Sequence, residues 1–197
     1  MNDAPVILLG GASGTGKSQV SYPLARRLAS PIVEIDDIVE ALQAMTTPEQ
    51  LPALHYWRAN PEAVHLPPER IVEMQISVAR ALVPAVRAVV ANHLETMTPV
   101  VVEGDYLLPS TAAELDGVRA VFLHESDEEQ IAENYLLREP AAGAQHGRAM
   151  VSRLYGDWLA SQAEAAGVPV VPARPWDDVL ERVARALDLA PLAPPSV

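Results

Sequence analysis

The sequence has no cysteine, a single lysine and few aromatic residues among its 197 positions. The absence of cysteine excludes disulfides and thiolate metal sites, and it is compatible with a reducing cytosolic compartment. Aromatic residues make up 5% of the chain, so Val, Leu, Ile and Ala must fill the core. No two of the five histidines have the spacing of metal ligands, so we predict no zinc site.

Positive charge is also scarce, and the formal net charge is −12. No basic stripe that could follow a nucleic-acid backbone is visible, which excludes nucleic acid as a partner. The N-terminal residues lack the basic region of a signal peptide, and the longest apolar stretches are shorter than a membrane span. We therefore expect a cytoplasmic protein with no membrane partner, which can bind an anionic small molecule where positive groups are focused locally.

Short apolar runs alternate with helical patterns along the chain. This alternation predicts an α/β fold of three layers, with about five parallel strands and helices on both faces. The predicted strands are 6–9, 32–35, 100–102, 118–123 and 168–171. The predicted helices are 17–28, 38–45, 70–96, 128–138 (with Ser126 as its N-cap), 149–166 and 176–187. We assign residues 1–190 to a single domain and expect the Pro-rich segment 191–197 to be disordered.

Two segments depart from the alternation. Residues 46–98 predict a helical cap over an acceptor site, and their Pro-rich start carries Trp57 and Arg58, which either line an acceptor pocket or form a hydrophobic plug. Residues 139–148 contain proline and glycine and predict a mobile lid loop.

A phosphate-binding loop follows the first predicted strand. Residues 11–18 read GASGTGKS and match the pattern G-x-x-x-x-G-K-[ST] at every fixed position. The glycines allow backbone angles that are closed to other residues, so successive N–H groups can turn towards a phosphate, and the following helix adds its positive end. The predicted nucleotide contacts are Gly11, Ala12, Ser13, Gly14, Thr15, Gly16, Lys17 and Ser18.

Two side chains of this loop carry its chemistry. Lys17 supplies a mobile positive charge for the outer phosphates, and Ser18 supplies a hydroxyl for Mg²⁺. Because Lys17 is the only lysine, the guanine-recognition motif N-K-x-D cannot occur elsewhere in the chain, which favours ATP over GTP.

Acidic residues follow the third predicted strand, and ligands of open α/β sheets bind at strand ends of this kind. Glu103 comes directly after the apolar run 100–102 and is predicted to hold Mg²⁺, with Asp105 as the alternative. If Glu103 has that role, Asp105 and Tyr106 face the acceptor. The structural alternative is a solvated loop whose acid caps a helix.

Asp36 and Asp37 follow the second predicted strand. We predict that Asp36 accepts the proton of an alcohol that attacks the γ-phosphate. Asp37 then either caps the next helix or contacts Mg²⁺ through water. The alternative is that the pair does no more than cap this helix.

Arginines flank the predicted lid. Arg138 and Arg148 stand at its two ends and are predicted to meet the charge of the transferred phosphoryl group, with Arg153 a weaker candidate. The alternative for Arg138 is a favourable position at a helix C-terminus. After the fifth strand, Arg174 is predicted to stack on the nucleotide base, while Trp176 is expected to anchor the last helix.

The motifs GGASGTGKS, IDD and VEGDYLLP, together with the arginines of the lid, resemble small-molecule kinases of the P-loop superfamily. The chain is most similar to 2-phosphoglycerate kinase-like proteins and AAA-labelled bacterial relatives, and more distantly to chloramphenicol phosphotransferase and to shikimate and gluconate kinases. The resemblance implies a five-stranded parallel sheet with the P-loop strand beside the strand of Glu103, a mobile lid, and an acceptor site under residues 46–68. That Pro-rich segment matches no identifiable acceptor site, and Glu103 stands where Asp is commoner.

Three functions fit these features. The first is a kinase that uses ATP and Mg²⁺ to phosphorylate a hydroxyl of a small metabolite. The second is an NTPase or nucleotide-dependent switch that acts on a protein partner, with Glu103 as the water-positioning acid. The third is a P-loop scaffold without turnover. A homodimer is compatible with each of them.

Overall fold

A single sheet of five parallel strands forms the centre of the computed structural model, which describes residues 6–189. The strands are β1 (Val6–Gly10), β2 (Ile32–Glu34), β3 (Val100–Gly104), β4 (Val118–His124) and β5 (Val170–Pro172). Their spatial order is β2-β3-β1-β4-β5, and every neighbouring pair is parallel. The predicted α/β fold is confirmed, and the P-loop strand lies beside the strand of Glu103 as the resemblance implied.

Eight α-helices accompany the sheet within residues 6–189. They are α1 (Ser18–Arg27), α2 (Ile35–Met45), α3 (Pro52–Ala59), α4 (Pro68–Glu95), α5 (Pro109–Ala113), α6 (Glu128–Arg138), α7 (His146–Ala165) and α8 (Val179–Ala186). Short 3₁₀ helices occur at Pro61–His65, Pro140–Ala142 and Trp176–Asp178.

Alternate residues of the central strands feed two separate cores. Leu8 and Val102 pack with apolar residues of α4 and α7 on one face of the sheet. Ile7 and Val101 pack with apolar residues of α1 and α8 on the other face. Because both faces are covered, β1 and β3 are apolar along almost their whole length and fully buried, as parallel strands usually are.

The register of the sheet brings the functional segments to one edge. Gly10 of β1 lies opposite Gly104 of β3, and Leu9 lies opposite Glu103. Glu34 of β2 in turn pairs with Glu103. The P-loop, which follows β1, therefore emerges level with the acids at the ends of β2 and β3.

The long helix α4 meets the length and composition of a membrane span, contrary to the expectation that every apolar stretch is shorter. The same composition suits a core helix, and Val78, Leu82 and Val86 of α4 are buried in the core on one face of the sheet. Pro84 lies inside the helix without ending it. Within the predicted cap 46–98, α4 therefore packs on the sheet as part of a helical layer. α3 and the 3₁₀ helix Pro61–His65 come before α4 in the chain.

Several predicted boundaries were wrong by a few residues. Asp127, not Ser126, caps α6, and its carboxylate accepts the N–H groups of Glu129 and Gln130. Ile35 begins α2 instead of ending β2, which places both following aspartates in the first helical turn. The predicted lid loop is shorter, because α7 already begins at His146. The predicted disorder of 191–197 lies outside the described residues.

Candidate active site

The P-loop joins β1 to α1 in the backbone conformation that its glycines permit. Gly14 and Gly16 have φ angles of 78° and 81°, in the left-handed region. A Cβ atom on Gly16 would lie 2.1 Å from the indole ring of Trp176, so a side chain at this position has no space. Asn134 of α6 donates its amide to the carbonyl oxygen of Gly14 at 2.7 Å. Two elements outside the loop, the 3₁₀ helix that begins at Trp176 and α6, therefore pack against it.

Lys17 is buried within the loop and pairs with a carboxylate. Its Nζ atom donates to the carbonyl oxygen of Ala12 at 3.0 Å and to the carboxylate of Asp105. Burial lowers the pKa of Lys17, but the Asp105 and Glu103 carboxylates outweigh this effect, and the pKa is raised overall. Lys17 thus stays charged, and its partner is an anionic group that a phosphate can replace. The sequence did not reveal this pairing, since Asp105 was predicted to face the acceptor or, as the alternative to Glu103, to hold Mg²⁺.

Glu103 lies beneath the loop with 7% of its surface exposed. Its Oε2 atom accepts the hydroxyl of Ser21 at 3.1 Å and that of Ser18 at 3.5 Å. Burial is the main cause that raises the pKa of Glu103, and Lys17 acts in the opposite direction. Ser21, one helical turn after Ser18, was missed in the sequence because a hydroxyl inside a helix has no motif of its own.

The oxygen atoms of Ser18 and Glu103 suit a hard divalent cation such as Mg²⁺. Within residues 6–189, no group of three or more His, Asp or Glu side chains is arranged to hold a metal ion. Mg²⁺ sites built on one carboxylate and substrate phosphates need no such group. The residues present therefore fit an ion that arrives with a nucleotide.

Asp36 stands in the first turn of α2 and lines the same cavity as Lys17. Its side chain is exposed, but partial desolvation in the cavity raises its pKa, and the carboxylates of Asp105 and Glu34 raise it further, while Lys17 lowers it. Asp37 is exposed and is not among the residues that line the cavity. The position of Asp36 suits its predicted role as a proton acceptor, while a contact of Asp37 with Mg²⁺ stays a prediction without a structural counterpart.

The two arginines of the predicted lid meet on one carboxylate. Arg138 donates to Glu139 at 2.8 Å, and Arg148 donates to the same group at 2.9 Å. Their guanidinium carbons lie 5.1 and 4.2 Å from the ring centre of Tyr135. Arg138 lines the cavity whereas Arg148 does not. The structure brings the pair together, and a contact with the transferred phosphate stays a prediction.

Arg174, predicted to stack on the nucleotide base, forms two ion pairs. Its guanidinium contacts Glu125 at 2.8 Å and Asp127 at 3.0 Å, and it lies outside the cavity lining. Trp176 occupies the cavity wall beside the P-loop. The indole ring also packs in the core with α8, as expected for an anchor of the last helix, and a contact of Arg174 with the nucleotide base stays a prediction.

The predicted acceptor residues separate into two groups. Asp105 lines the cavity, and its carbonyl oxygen accepts the hydroxyl of Tyr155 at 3.0 Å. Tyr106 is mostly buried beside Trp57, and burial raises its pKa. Arg58 forms an exposed ion pair with Glu40 at 2.8 Å. Tyr106, Trp57 and Arg58 do not line the cavity, so their role with an acceptor stays a prediction.

The cavity has a volume of about 770 Å³. Because β1 is the central strand of the sheet, the other residues that line the cavity lie on two sides of the P-loop. The P-loop lies above the central strand β1. On one side, the segments that end β2 and β3 contribute the β2–β3 half: Glu34, Asp36, Glu103 and Asp105. On the other side, the segments that follow β4 and β5 contribute the β4–β5 half: Asn134, Leu137, Arg138, Trp176 and Val179.

Known proteins resemble this chain in sequence and in fold. A 2-phosphoglycerate kinase from Pyrococcus furiosus is 32% identical over 110 residues, or 53% of this chain, and one from Methanocaldococcus jannaschii is 25% identical over 177 residues, or 84% of this chain. These alignments cover 36% and 57% of the two relatives, so the chain spans about half of their length. No protein-family profile matches the chain.

A gluconokinase from Sinorhizobium meliloti 1021 has the same fold. Its structure superposes with a TM-score of 0.55 over 95% of this chain and 94% of the gluconokinase, at 20% sequence identity. At this identity, the similarity is evidence for the fold alone.

Proposed function

We propose that this chain, which resembles P-loop small-molecule kinases in its sequence motifs and fold, transfers the γ-phosphate of ATP to a hydroxyl group of a small metabolite. The observation that carries the proposal is the presence of Lys17 and Asp36 in one cavity. A phosphate anchor and a candidate proton acceptor in the same cavity are what phosphoryl transfer to an alcohol needs.

In the proposed reaction, Lys17 leaves Asp105 and binds the outer phosphates of ATP. The acceptor oxygen attacks the γ-phosphorus, its bond to phosphorus forms as the bond from phosphorus to the ADP oxygen breaks, and the hydroxyl proton passes to Asp36. Ser18 and Glu103 would hold Mg²⁺, which neutralises charge on the phosphates when bound. Arg138, at the cavity wall, stabilises the charge of the moving group.

A direct test measures product formation and nucleotide binding in parallel. The purified chain receives ATP, Mg²⁺ and a panel of small alcohols, and phosphorylated products are detected by mass spectrometry. We expect Lys17→Met to lose both nucleotide binding and transfer, and Asp36→Asn to lose transfer alone. Glu73→Gln is the matched control. Glu73 pairs with Arg70 on the exposed side of α4, so this substitution removes one acidic charge away from the cavity.

Two results would overturn the proposal. ATP hydrolysis that proceeds without any alcohol and disappears in Glu103→Gln would favour the NTPase or switch that acts on a protein partner. ATP binding without consumption across the whole panel would favour a P-loop scaffold without turnover. The cytoplasmic location and the homodimer stay predictions.

A further inference from the structure

The charges of the cavity lie on opposite sides of the P-loop. All four of its carboxylates belong to the β2–β3 half, and Arg138 is the only charged residue of the β4–β5 half within residues 6–189. The β4–β5 half also supplies the apolar side chains of Leu137, Trp176 and Val179, which suit the flat apolar faces of a base. The acceptor then occupies the β2–β3 half, next to Asp36.

This half stays negative after ATP and its ion are in place. Lys17 moves to the phosphates, and Glu103 and Ser18 are used by Mg²⁺. Glu34, Asp36 and Asp105 remain around the acceptor. The negative charges of Asp105 and Glu34 raise the pKa of Asp36, because like charges disfavour its ionised form.

Within residues 6–189, no arginine lines this half to balance the charge of an anionic acceptor. Two arginines outside the cavity are already paired: Arg58 with Glu40 at 2.8 Å, and Arg153 with Glu128 at 3.3 Å and Asp157 at 2.8 Å. Neither of these arginines lines the cavity. A metabolite such as 2-phosphoglycerate, which carries a phosphate and a carboxylate, would place several negative charges against the carboxylates of the β2–β3 half.

The β2–β3 half does accommodate an ammonium group. The Nζ atom of Lys17 is bound there by the Asp105 carboxylate, within the side of the cavity that faces Asp36. When the phosphates draw Lys17 away, Asp105 loses its cationic partner. A second ammonium group carries the same charge and the same N–H donors as Lys17 and therefore suits that place.

We propose that the acceptor is an alcohol that also carries a protonated amine, and that Asp105 binds this amine while Asp36 faces the hydroxyl. The inference rests on the proposed kinase function and names the class of its acceptor. It differs from the acceptor in the names of the sequence relatives, whose substrate is an anion.

The test uses acceptors of equal carbon number that carry a positive charge, no charge or a negative charge. One set has three carbons: 2-amino-1,3-propanediol, glycerol and glycerate. The other has six: glucosamine, glucose and gluconate. For each compound, kcat/KM is measured with ATP and Mg²⁺, and binding is measured by calorimetry with a non-hydrolysable ATP analogue. We expect the amine to exceed the neutral compound by about 10-fold, with the acid weakest, and the preference to fall at high salt.

Variants assign the preference to Asp105. Asp105→Asn should bring the amine and the neutral compound to within about 2-fold of each other, because one charge–charge contact is lost. Glu73→Gln should leave the ratio unchanged, since it removes a charge outside the cavity. Preference for glycerate, gluconate or 2-phosphoglycerate would overturn the inference and leave the kinase function intact. Equal or absent binding of all three charge classes would overturn it as well, whereas hydrolysis without transfer would instead refute the kinase function.

Discussion

The two halves of the cavity differ both in charge and in the kind of structure that forms them. The β2–β3 half is formed by residues at strand ends and in the first turn of a helix, and Glu103 there is almost fully buried. The β4–β5 half is formed by helix surfaces and by a 3₁₀ turn, and its Leu137 is 82% exposed. The carboxylates of the cavity thus lie where bonds would change, and its apolar side chains lie where a base would bind. Chemistry and nucleotide affinity should therefore respond to separate substitutions.

The largest separation is expected for Asp36→Asn in the β2–β3 half. Removal of a general base slows proton transfer by about 10²–10⁴-fold. The affinity for ATP should change by less than about 2-fold, because Asp36 is not one of the P-loop residues that are predicted to bind the nucleotide. Single-turnover transfer and calorimetric binding, measured on the same preparation, check this pair of outcomes. Equal losses of rate and affinity would show that the two halves do not act separately.

The converse separation is expected for Gly16→Ala, which acts through the β4–β5 half. An alanine at φ 81° costs about 1–2 kcal/mol, and its Cβ would lie 2.1 Å from Trp176. ATP affinity should fall by about 10-fold or more. Titration of ATP into the variant measures the loss.

A double variant resolves the two causes of that loss. Trp176→Ala removes the steric conflict but leaves the strained φ angle. The pair Gly16→Ala with Trp176→Ala should therefore bind ATP better than the product of the two single effects predicts. Simple additivity would mean that the indole ring does not press on the loop.

A smaller effect, on pH dependence, is expected for Asp105→Asn. A general base works unprotonated, so the transfer rate falls as the pH drops through the pKa of Asp36. The Asp105 carboxylate raises that pKa, together with partial desolvation, Glu34 and Asp37, while Lys17 lowers it. Loss of Asp105 should move the acidic limb of kcat/KM to lower pH. Profiles of this variant and of Glu73→Gln, taken with a neutral acceptor, provide the comparison, and a limb that stays in place or moves upward would contradict the assignment.

The sequence predicted those parts of the site that have a fixed local spacing. The P-loop, its strand and its helix follow from eight consecutive residues whose glycines and lysine have few other uses. The contact of Lys17 with Asp105 spans 88 residues, and that of Asn134 with Gly14 spans 120, so neither leaves a local pattern. Such pairs become visible only when the order of the strands is known.

Errors at element boundaries had a local cause. Ser126 and Asp127 are both good N-caps, and only the direction of the chain after β4 decides between them. Ile35 suited a buried strand as well as a buried first turn, so its apolar side chain could not mark where β2 ends. The alternation of strands and helices was insensitive to these shifts, which is why the layer architecture was predicted correctly although several ends were wrong.

The smallest effect, a gain in stability, is expected for Glu103→Gln. Burial raises the pKa of Glu103 in the folded protein, so its ionised form is disfavoured there relative to the unfolded chain. Stability is therefore lost as the pH rises from the unfolded pKa through the folded pKa, and the loss is complete above the latter. Glutamine keeps an acceptor for the Ser21 hydroxyl without the charge. At neutral pH, a gain of about 1 kcal/mol would raise the melting temperature by about 2–4 °C.

The same substitution should remove the added stability that Mg²⁺ gives to the ATP-bound protein, because the carboxylate no longer holds the ion. Thermal melts with and without ATP and Mg²⁺, from below the unfolded pKa to neutral pH, test both statements. The advantage of glutamine should disappear at the acidic end, where glutamate is protonated in both states. A variant that melts below the native protein at neutral pH would mean that the ionised carboxylate stabilises the fold through Lys17 more than its burial opposes it. In that case, the charges of the β2–β3 half would stabilise the folded protein. They would not be groups that are kept for function although they lower its stability.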